Sequence, residues 1–314
     1  MHKSVVTLAL ASSFALGVTV SPTKAGFGLF ASAHGSGTFC THDQPCSFTT
    51  ALDLVDSAGQ VTCVDTFGIQ FLSPITLQKS VTIDCPNSLL GNSLPINAPG
   101  HVIVLRNLTF NTFGFSGPPS IDFTNGRALV IENCTFINHY GKTPPIAVNF
   151  RPQSGGSQLT VKNSSFVNNG IGSVGGGIVV RPEGSGNAKV LVEGVTIGHG
   201  IFGIAADGTG STAGINMTIS NSQITSNSQD GIIAVTSAGG APIGVLVTNT
   251  RSINNNIGIR SVGPNVTVRV ESSKITGNGT GLAFGSGGAL LTAGNNLVAA
   301  NGTNGAFSGS VGLQ

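Results

Sequence analysis

The sequence predicts an all-β fold, a right-handed parallel β-helix solenoid of about ten coils with an N-terminal capping helix. Three observations predict it. An apolar residue, any residue and then Asn recur at short intervals along the chain. Glycine accounts for 46 of 314 residues, and Gly, Asn and Thr all have low helix propensity. Each repeat unit carries β-rich pieces broken by Gly or Asn with no room for a crossover helix, so the units must stack directly on one another.

The repeat is anchored on an apolar residue that is followed two positions later by Asn. Clear copies are Leu105-Arg106-Asn107, Ile131-Glu132-Asn133, Val161-Lys162-Asn163, Ile219-Ser220-Asn221 and Val247-Thr248-Asn249, and weaker ones are Val192-Glu193-Gly194, Val270-Glu271-Ser272 and Ala293-Gly294-Asn295. Successive anchors are 26, 30, 31, 27, 28, 23 and 23 residues apart. Strand-like runs that begin at Val61 and Val81 extend the series toward the N-terminus.

Each column of the repeat has its own interpretation. Five residues after each anchor stand Phe110, Phe136, Phe166, Ile197, Ile224, Ser252, Ile275 and Val298, an apolar column that predicts an interior stack. The Asn two residues after the anchor suits left-handed backbone at a corner. Asn169, Asn227, Asn255, Asn278 and Asn301, eight residues after their anchors, are interpreted as a second such column, an asparagine ladder. Several asparagines also match N-x-Ser/Thr, for example Asn107, Asn163 and Asn278, which leaves glycosylation open in a eukaryotic host.

The N-terminal region divides into a targeting segment and a cap. Residues 1–25 read as a signal peptide, with Lys3 before an apolar stretch and small residues near Ala25. Residues 26–58 are expected to hold a strand and the capping helix, with Ser47 as N-cap, and residues 59–314 the β-helix. The mature chain is therefore expected to be secreted or periplasmic, without a membrane span.

Five cysteines fit an oxidising compartment. We expect disulfides Cys40–Cys46 and Cys63–Cys85, with Cys134 left free, although sequence alone leaves the connectivity open. No metal site is predicted, because these thiols have neither a CxxC pair nor clustered histidines beside them.

These features resemble the pectate-lyase-like right-handed parallel β-helix superfamily, and most of all secreted bacterial β-helix repeat proteins of unassigned function. The residues that carry the resemblance are Pro45-Cys46, Thr82-Ile83-Asp84-Cys85, Leu105-Arg106-Asn107-Leu108, the Asn columns and Asn304-Gly305-Ala306-Phe307. It covers roughly residues 29–314. The resemblance implies a fold and not a chemistry, since this fold hosts lyases, hydrolases, adhesins and scaffolds.

Composition points away from several activities. Only 8% of residues are charged and the net charge is +2, so no basic face for nucleic acid is expected. Two GxGxxG matches fall in Gly-rich corners without a following helix, and no cofactor is predicted. Acidic residues are few, Trp is absent and Tyr140 is the single Tyr. We therefore expect a non-catalytic scaffold or surface/glycan-binding module, and the alternative is a polysaccharide lyase or glycoside hydrolase acting on an acidic polysaccharide.

No catalytic residue can be named, but the longest coils suggest where a ligand would bind. Insertions form loops on one face, and the candidate ligand-binding residues there are Tyr140, Lys142, Arg151, Arg181 and Asp122. Two stacked arginines, otherwise unpaired, suit an anionic polysaccharide or cell-surface glycan. The competing interpretation is a solvated edge on which Glu183 neutralises Arg181.

Overall fold

The computed structural model describes residues 28–66, 68–69, 75–91, 93–113 and 117–312, so the predicted signal peptide lies outside the described residues. In these ranges the chain forms one helix, α1 (Phe48–Leu54), and a series of short strands. The strands are β1 (Leu29–Ala31), β2 (Gly59–Cys63), β3 (Gly68–Ile69), β4 (Val81–Leu90), β5 (Leu94–Asn111), β6 (Ile121–Glu132), β7 (Thr135–Ile137), β8 (Ile146–Phe150), β9 (Gly156–Lys162), β10 (Ser165–Val167), β11 (Gly176–Val180), β12 (Asn187–Glu193), β13 (Thr196–Gly198), β14 (Phe202–Asp207), β15 (Gly214–Ser220), β16 (Gln223–Thr225), β17 (Asp230–Val235), β18 (Ile243–Thr248), β19 (Arg251–Ile253), β20 (Ile257–Val262), β21 (Val266–Glu271), β22 (Lys274–Thr276), β23 (Thr280–Gly285), β24 (Ala289–Thr292), β25 (Leu297–Ala299) and β26 (Gly309–Ser310).

The strands stack in parallel register as three sheets of a solenoid. Sheet 1 runs through β1, β2, β4, β5, β6, β9, β12, β15, β18, β21, β24 and β26. Sheet 2 continues from β7 through β10, β13, β16, β19, β22 and β25. Sheet 3 comprises the first residues of β6 and then β8, β11, β14, β17, β20 and β23.

The solenoid has about eight regular turns, slightly fewer than the ten predicted. The strand-like runs that begin at Val61 and Val81 do form strands of sheet 1, β2 and β4. Their coils are irregular, however, since the pairing of β4 with β5 shifts register between Asp84 and Ser88. Strands β4 and β5 also bend around corners and pair in more than one sheet.

The interior is built from the predicted apolar column and its neighbours. Phe110 stacks on Phe136 with ring centroids 4.6 Å apart, and Phe136 stacks on Phe166 at 4.7 Å. Their rings are nearly parallel because parallel, in-register strands place equivalent side chains directly above one another. Ser252, the polar member of the column, is also buried and donates a hydrogen bond to the carbonyl oxygen of Gly258.

The corners confirm the left-handed backbone expected two residues after the anchor. Asn107, Asn133 and Asn163 have φ values of 58°, 55° and 48°. At the second corner the interpretation needs a correction, because the left-handed residue is the one seven after the anchor, such as Asn168 with φ of 58°. The next residue, Asn169, lies inside the corner and is buried, so its side chain is free to hydrogen-bond instead.

The buried asparagines bond to one another along the axis. The Nδ2 of Asn227 donates to Oδ1 of Asn255 at 2.9 Å, Asn255 donates to Asn278 at 3.1 Å, and Asn278 to Asn301 at 2.9 Å. The same Oδ1 atoms accept backbone N–H groups, as at Asn255 and Asn278. These bonds satisfy polar groups that the tight corner leaves buried.

Helix α1 forms at the N-terminal end of the solenoid, with the predicted Ser47 as N-cap. The Oγ of Ser47 accepts a hydrogen bond from the backbone N–H of Thr50 at 3.2 Å. Phe48, Ala51 and Leu52 are its buried residues, and the helix contacts β1 and β2. The predicted disulfides Cys40–Cys46 and Cys63–Cys85 are both present, and Cys134 is free and buried.

Candidate functional site: the outward face of sheet 3

The outward side of sheet 3 carries an apolar strip that no pattern in the sequence predicted. Val179 alternates with the interior residues Ile178 and Val180 and therefore points outward. Its cluster is separate from the main core and consists of Ile146, Val179, Ala205 and Ile233, with Phe202 and Val235 packed against them. We call these six residues the apolar strip. Ile146, Val179, Ala205 and Ile233 are themselves buried, whereas Phe202 and Val235 are partly exposed, so these two side chains are the part of the strip that a ligand could contact.

Phe202 faces outward because the strand alternation is interrupted beside it. A Cβ atom added to Gly203 would lie 2.4 Å from Cγ2 of the interior residue Ile224. The stacked glycines Gly177, Gly203 and Gly231 therefore face the interior. The residue before each of them faces outward. This outward column pairs Ile146 with Gly176 and Gly176 with Phe202, and in the same register it continues to Asp230 and Ile257.

At the N-terminal end of the strip, five polar residues form a connected group that we call the arginine cluster. The Nε and Nη2 atoms of Arg151 each donate to a carboxylate oxygen of Asp122, both at 2.8 Å. Asn149 donates to Oδ1 of Asp122 at 2.7 Å and accepts from Nε of Arg181 at 2.7 Å. Nη1 of Arg151 lies 3.4 Å from Oε1 of Glu183. Neighbouring coils thus place both guanidinium groups side by side.

The two arginines differ in how their charge is compensated. Hydrogen bonds from Arg151 to Asp122 raise the pKa of this guanidinium further above its ordinary value. The sequence-based interpretation that Glu183 neutralises Arg181 is wrong, because Glu183 contacts Arg151 and Gln153. The expectation of unpaired arginines is likewise wrong for Arg151. Across the described ranges Arg181 has no carboxylate within 4 Å, and its Nη groups have no side-chain hydrogen-bond partner there.

Tyr140 and Lys142 lie at the other edge of sheet 3. They precede β8 whereas Arg151 follows it, and a five-residue strand spans roughly 16 Å. Tyr140 is 39% exposed. Lys142 is buried, and this burial lowers its pKa below the ordinary value. Of the predicted site residues, Asp122, Arg151 and Arg181 therefore lie together, while Tyr140 and Lys142 precede β8 and lie apart from them.

Asn149 is the member of the arginine cluster that sequence reasoning missed. It lies in the otherwise apolar run Ile146–Phe150, between the interior residues Val148 and Phe150. A polar residue at an alternating position of an apolar strand points outward, and that signal was available in the sequence. The apolar strip gave no such signal, because outward and inward positions of sheet 3 are both apolar.

A second ion pair lies beyond the strip, between Asp230 on β17 and Arg260 on β20. Nη2 of Arg260 is 2.5 Å from Oδ2 of Asp230, whose side chain is fully buried. Burial outweighs the attraction of Arg260 and raises the pKa of Asp230 to about 6. Oδ1 of Asp230 and Nε of Arg260 have no hydrogen-bond partner in any other described residue.

A buried Ser–His–Asn group has the hydrogen-bond connectivity of a catalytic triad, but a substrate could not reach it. Nδ1 of His139 bonds to Oδ1 of Asn169 at 2.8 Å, and its Nε2 bonds to the hydroxyl of Ser120. Because Asn169 Oδ1 can only accept, Nδ1 carries the proton and Nε2 accepts from Ser120. Ser120 and His139 are completely buried, and burial lowers the pKa of His139 to about 4. The group therefore serves the packing of the corner.

Within the described ranges, no group of three or more His, Cys, Asp or Glu side chains is placed to hold a metal ion. None of the helices in the described part combines the length and apolarity needed to span a bilayer.

Comparison with known proteins identifies the fold. No protein-family model matches the chain, and no curated protein matches its sequence. Among solved structures, the crystal structure of pectate lyase Pel9A matches with a TM-score of 0.57 over 91% of this chain and 78% of that one, at 16% identity. The chain therefore has the predicted pectate-lyase-like right-handed parallel β-helix fold, and at this identity the likeness establishes the fold alone.

Proposed function

We propose that this is a secreted glycan-binding protein that holds an acidic polysaccharide on the outward face of sheet 3. The observation that carries the proposal is the arginine cluster, in which the Nη groups of Arg181 have no partner among the described residues. A guanidinium fork suits the carboxylate of a uronic acid, and the apolar face of a sugar ring suits the partly exposed Phe202 and Val235 of the strip. Pectate, in the name of the matched structure, is a polysaccharide of this kind.

The arginine cluster is suited to grip an anion without rearranging. Arg151 is held at two points by Asp122, and Asn149 fixes the Nε side of Arg181. The remaining donors of Arg181 then keep one orientation, so little side-chain entropy is lost when a carboxylate binds. Two disulfides fit the oxidising compartment that secretion implies.

Isothermal titration with pectate, and with neutral dextran as the control polymer, tests this proposal. We expect pectate binding at low salt that weakens as salt screens the contact, and no binding of dextran. Arg181→Ala should weaken pectate binding roughly tenfold, the loss of a charge-assisted hydrogen bond. Arg251→Ala, which removes the same charge from an exposed position on sheet 2, should bind as the wild type does. Equal effects of the two variants would contradict the site.

A second candidate function, polysaccharide cleavage by elimination, is suggested by the fold that the chain shares with a pectate lyase, and Lys142 is its candidate base. A general base works best when its pKa lies near the working pH, and burial moves Lys142 in that direction. Release of unsaturated ends from pectate by the wild type and not by Lys142→Ala would establish an enzyme. Absence of unsaturated ends with pectate binding intact would leave the binding protein.

A further inference from the structure

We propose that a groove next to Arg181 binds an uncharged part of the same glycan, the hydroxyl groups of the sugar beside the uronic acid that Arg181 holds. The groove lies between the loop of residues 209–212, which follows β14, and the loop of residues 237–240, which follows β17. The inference rests on the proposed function and deepens it, because it gives the bound chain a direction. The glycan would run along the solenoid axis, from Arg181 toward the C-terminal coils.

The groove begins one coil away from Arg181. Val180 pairs in register with Ala206, so Asp207 stands beside Arg181 in the next coil, and Asp207 pairs in turn with Val235. The two loops start two residues beyond Asp207 and Val235. Neighbouring parallel strands lie about 4.8 Å apart, so the groove is roughly 5–10 Å from Arg181 along the axis. One oligosaccharide can therefore reach both.

Contacts between coils hold the first loop against the arginine cluster. The N–H of Gly184, which comes directly after the cluster in the chain, donates to the carbonyl oxygen of Gly210 at 2.8 Å. The N–H of Thr212 donates to the carbonyl oxygen of Gly184 at 3.3 Å. Oδ1 of Asp207 accepts hydrogen bonds from both the N–H and the hydroxyl group of Thr209. The loop therefore needs little ordering when a ligand binds.

The second loop is tied to the first by the backbone and leaves room for a ring between them. The N–H of Ala241 donates to the carbonyl oxygen of Gly208 at 2.9 Å, and that of Gly240 donates to Ser237 at 3.0 Å. The groove has a volume of about 210 Å³. A cavity of roughly 150 Å³ holds a benzene ring, so one sugar ring has room here. Gly239 and Gly240 add no side chain that would fill the space.

The chemistry of the groove suits hydroxyl groups. None of the described residues that line it carries a charged side chain. Thr212 and Ser237 lie exposed on opposite loops, and neither hydroxyl group has a hydrogen-bond partner in the described part of the chain. A hydroxyl group both donates and accepts, as the hydroxyl groups of a sugar do. A carboxylate finds its cation at Arg181 and none in the groove, so the two parts of the ligand are told apart.

Titration with galacturonic acid, the monosaccharide unit of pectate, and with its linear tetrasaccharide tests the inference. We expect the wild type to bind the tetrasaccharide more tightly, because only the longer ligand reaches from Arg181 into the groove. Ser237→Phe fills the groove and should lose roughly tenfold in tetrasaccharide affinity, while the affinity for galacturonic acid stays unchanged. Thr212→Ala/Ser237→Ala removes two hydrogen bonds and should lose a similar factor. Thr196→Phe, which places the same ring at an exposed position on sheet 2, is the matched control and should bind as the wild type does.

The outcomes separate this inference from the proposed function. If the wild type binds neither ligand, the proposed function itself is wrong. If Arg181→Ala weakens both ligands while Ser237→Phe and the double alanine variant bind the tetrasaccharide as the wild type does, the glycan binds at Arg181 and the groove is not part of the site. Equal affinity of the wild type for both ligands would likewise overturn the groove. Thermal unfolding of each variant checks the fold, and the double alanine variant adds no bulk should Ser237→Phe prove unstable.

Discussion

Arg151 and Asp122 lie in neighbouring coils and meet through two parallel hydrogen bonds of 2.8 Å each, from Nε to Oδ1 and from Nη2 to Oδ2. The next arginine of the column, Arg181, meets only the amide of Asn149. One guanidinium thus closes the edge of the sheet while the other stays available. The proposed function depends on this difference between two residues that occupy equivalent places in the repeat.

Arg151→Ala should destabilise the fold by roughly 1.5–3 kcal/mol, because it removes charge-assisted bonds from the partly buried Asp122. Arg106→Ala is the matched control, since Arg106 pairs with Glu132 across sheet 1 through a single more exposed contact. That variant should lose less than about 1 kcal/mol. Urea unfolding of both variants measures the difference, and equal losses would contradict a structural role for the two-point pair.

His139 occupies the corner position that Asn169 and Asn227 hold in later coils, so Asn should substitute for it better than Ala. His139→Asn retains a side-chain donor toward Oδ1 of Asn169, whereas His139→Ala leaves the hydroxyl of Ser120 without its partner and Oδ1 of Asn169 with only the backbone N–H of residue 139. We expect His139→Ala to lose about 2–4 kcal/mol, and His139→Asn clearly less. Thermal or urea unfolding would contradict the account if Asn proved as costly as Ala.

Stability should fall on acidification because of His139. Its pKa drops from 6.5 to about 4 on folding, so the unfolded chain binds more protons between these values. Stability from this group is present above pH 6.5 and is lost as the pH falls toward 4, by roughly 3 kcal/mol relative to His139→Asn. Asp230 acts in the opposite sense: its stabilisation is present below pH 3.8 and is lost as the pH rises through about 6. The contribution of Asp230 is the same in the wild type and in His139→Asn, so it cancels when these two proteins are compared. The free energy of unfolding of the wild type and of His139→Asn is measured at pH 4 and at pH 6.5. A difference between the two proteins that is the same at both pH values would contradict the assignment to His139.

Cys134→Ser should be close to neutral, within about 1 kcal/mol, because the serine hydroxyl can make the hydrogen bond that the thiol makes. Ser164 and Ser222 hold the equivalent place in later coils, and each donates from Oγ to the carbonyl oxygen two residues before it. The Sγ of Cys134 makes the same contact with Glu132. Burial raises the pKa of Cys134 to about 12, so the native thiol should also resist alkylation at pH 8. Rapid labelling of the folded protein would show that the corner opens.

The fold could be predicted well from the sequence because particular positions of the repeat require a particular backbone conformation or burial. A left-handed corner admits few residues, so Asn107, Asn133 and Asn163 mark each turn, and the Phe column marks the interior. The site was only partly predictable. Arg151 and Arg181 could be placed in neighbouring coils by counting from the anchors. That Asn149, and not Glu183, bonds to Arg181 depends on register within sheet 3, which the sequence does not specify.

The most direct test of the central claim is hydroxyl-radical footprinting with and without saturating pectate. Phe202 lies in the apolar strip and remains partly exposed, while Leu297 on sheet 2 is 51% exposed and serves as the internal control. We expect pectate to lower the labelling of Phe202 and to leave that of Leu297 unchanged. Unchanged labelling of Phe202 under saturation, or protection of Leu297 instead, would contradict a binding site on the outward face of sheet 3.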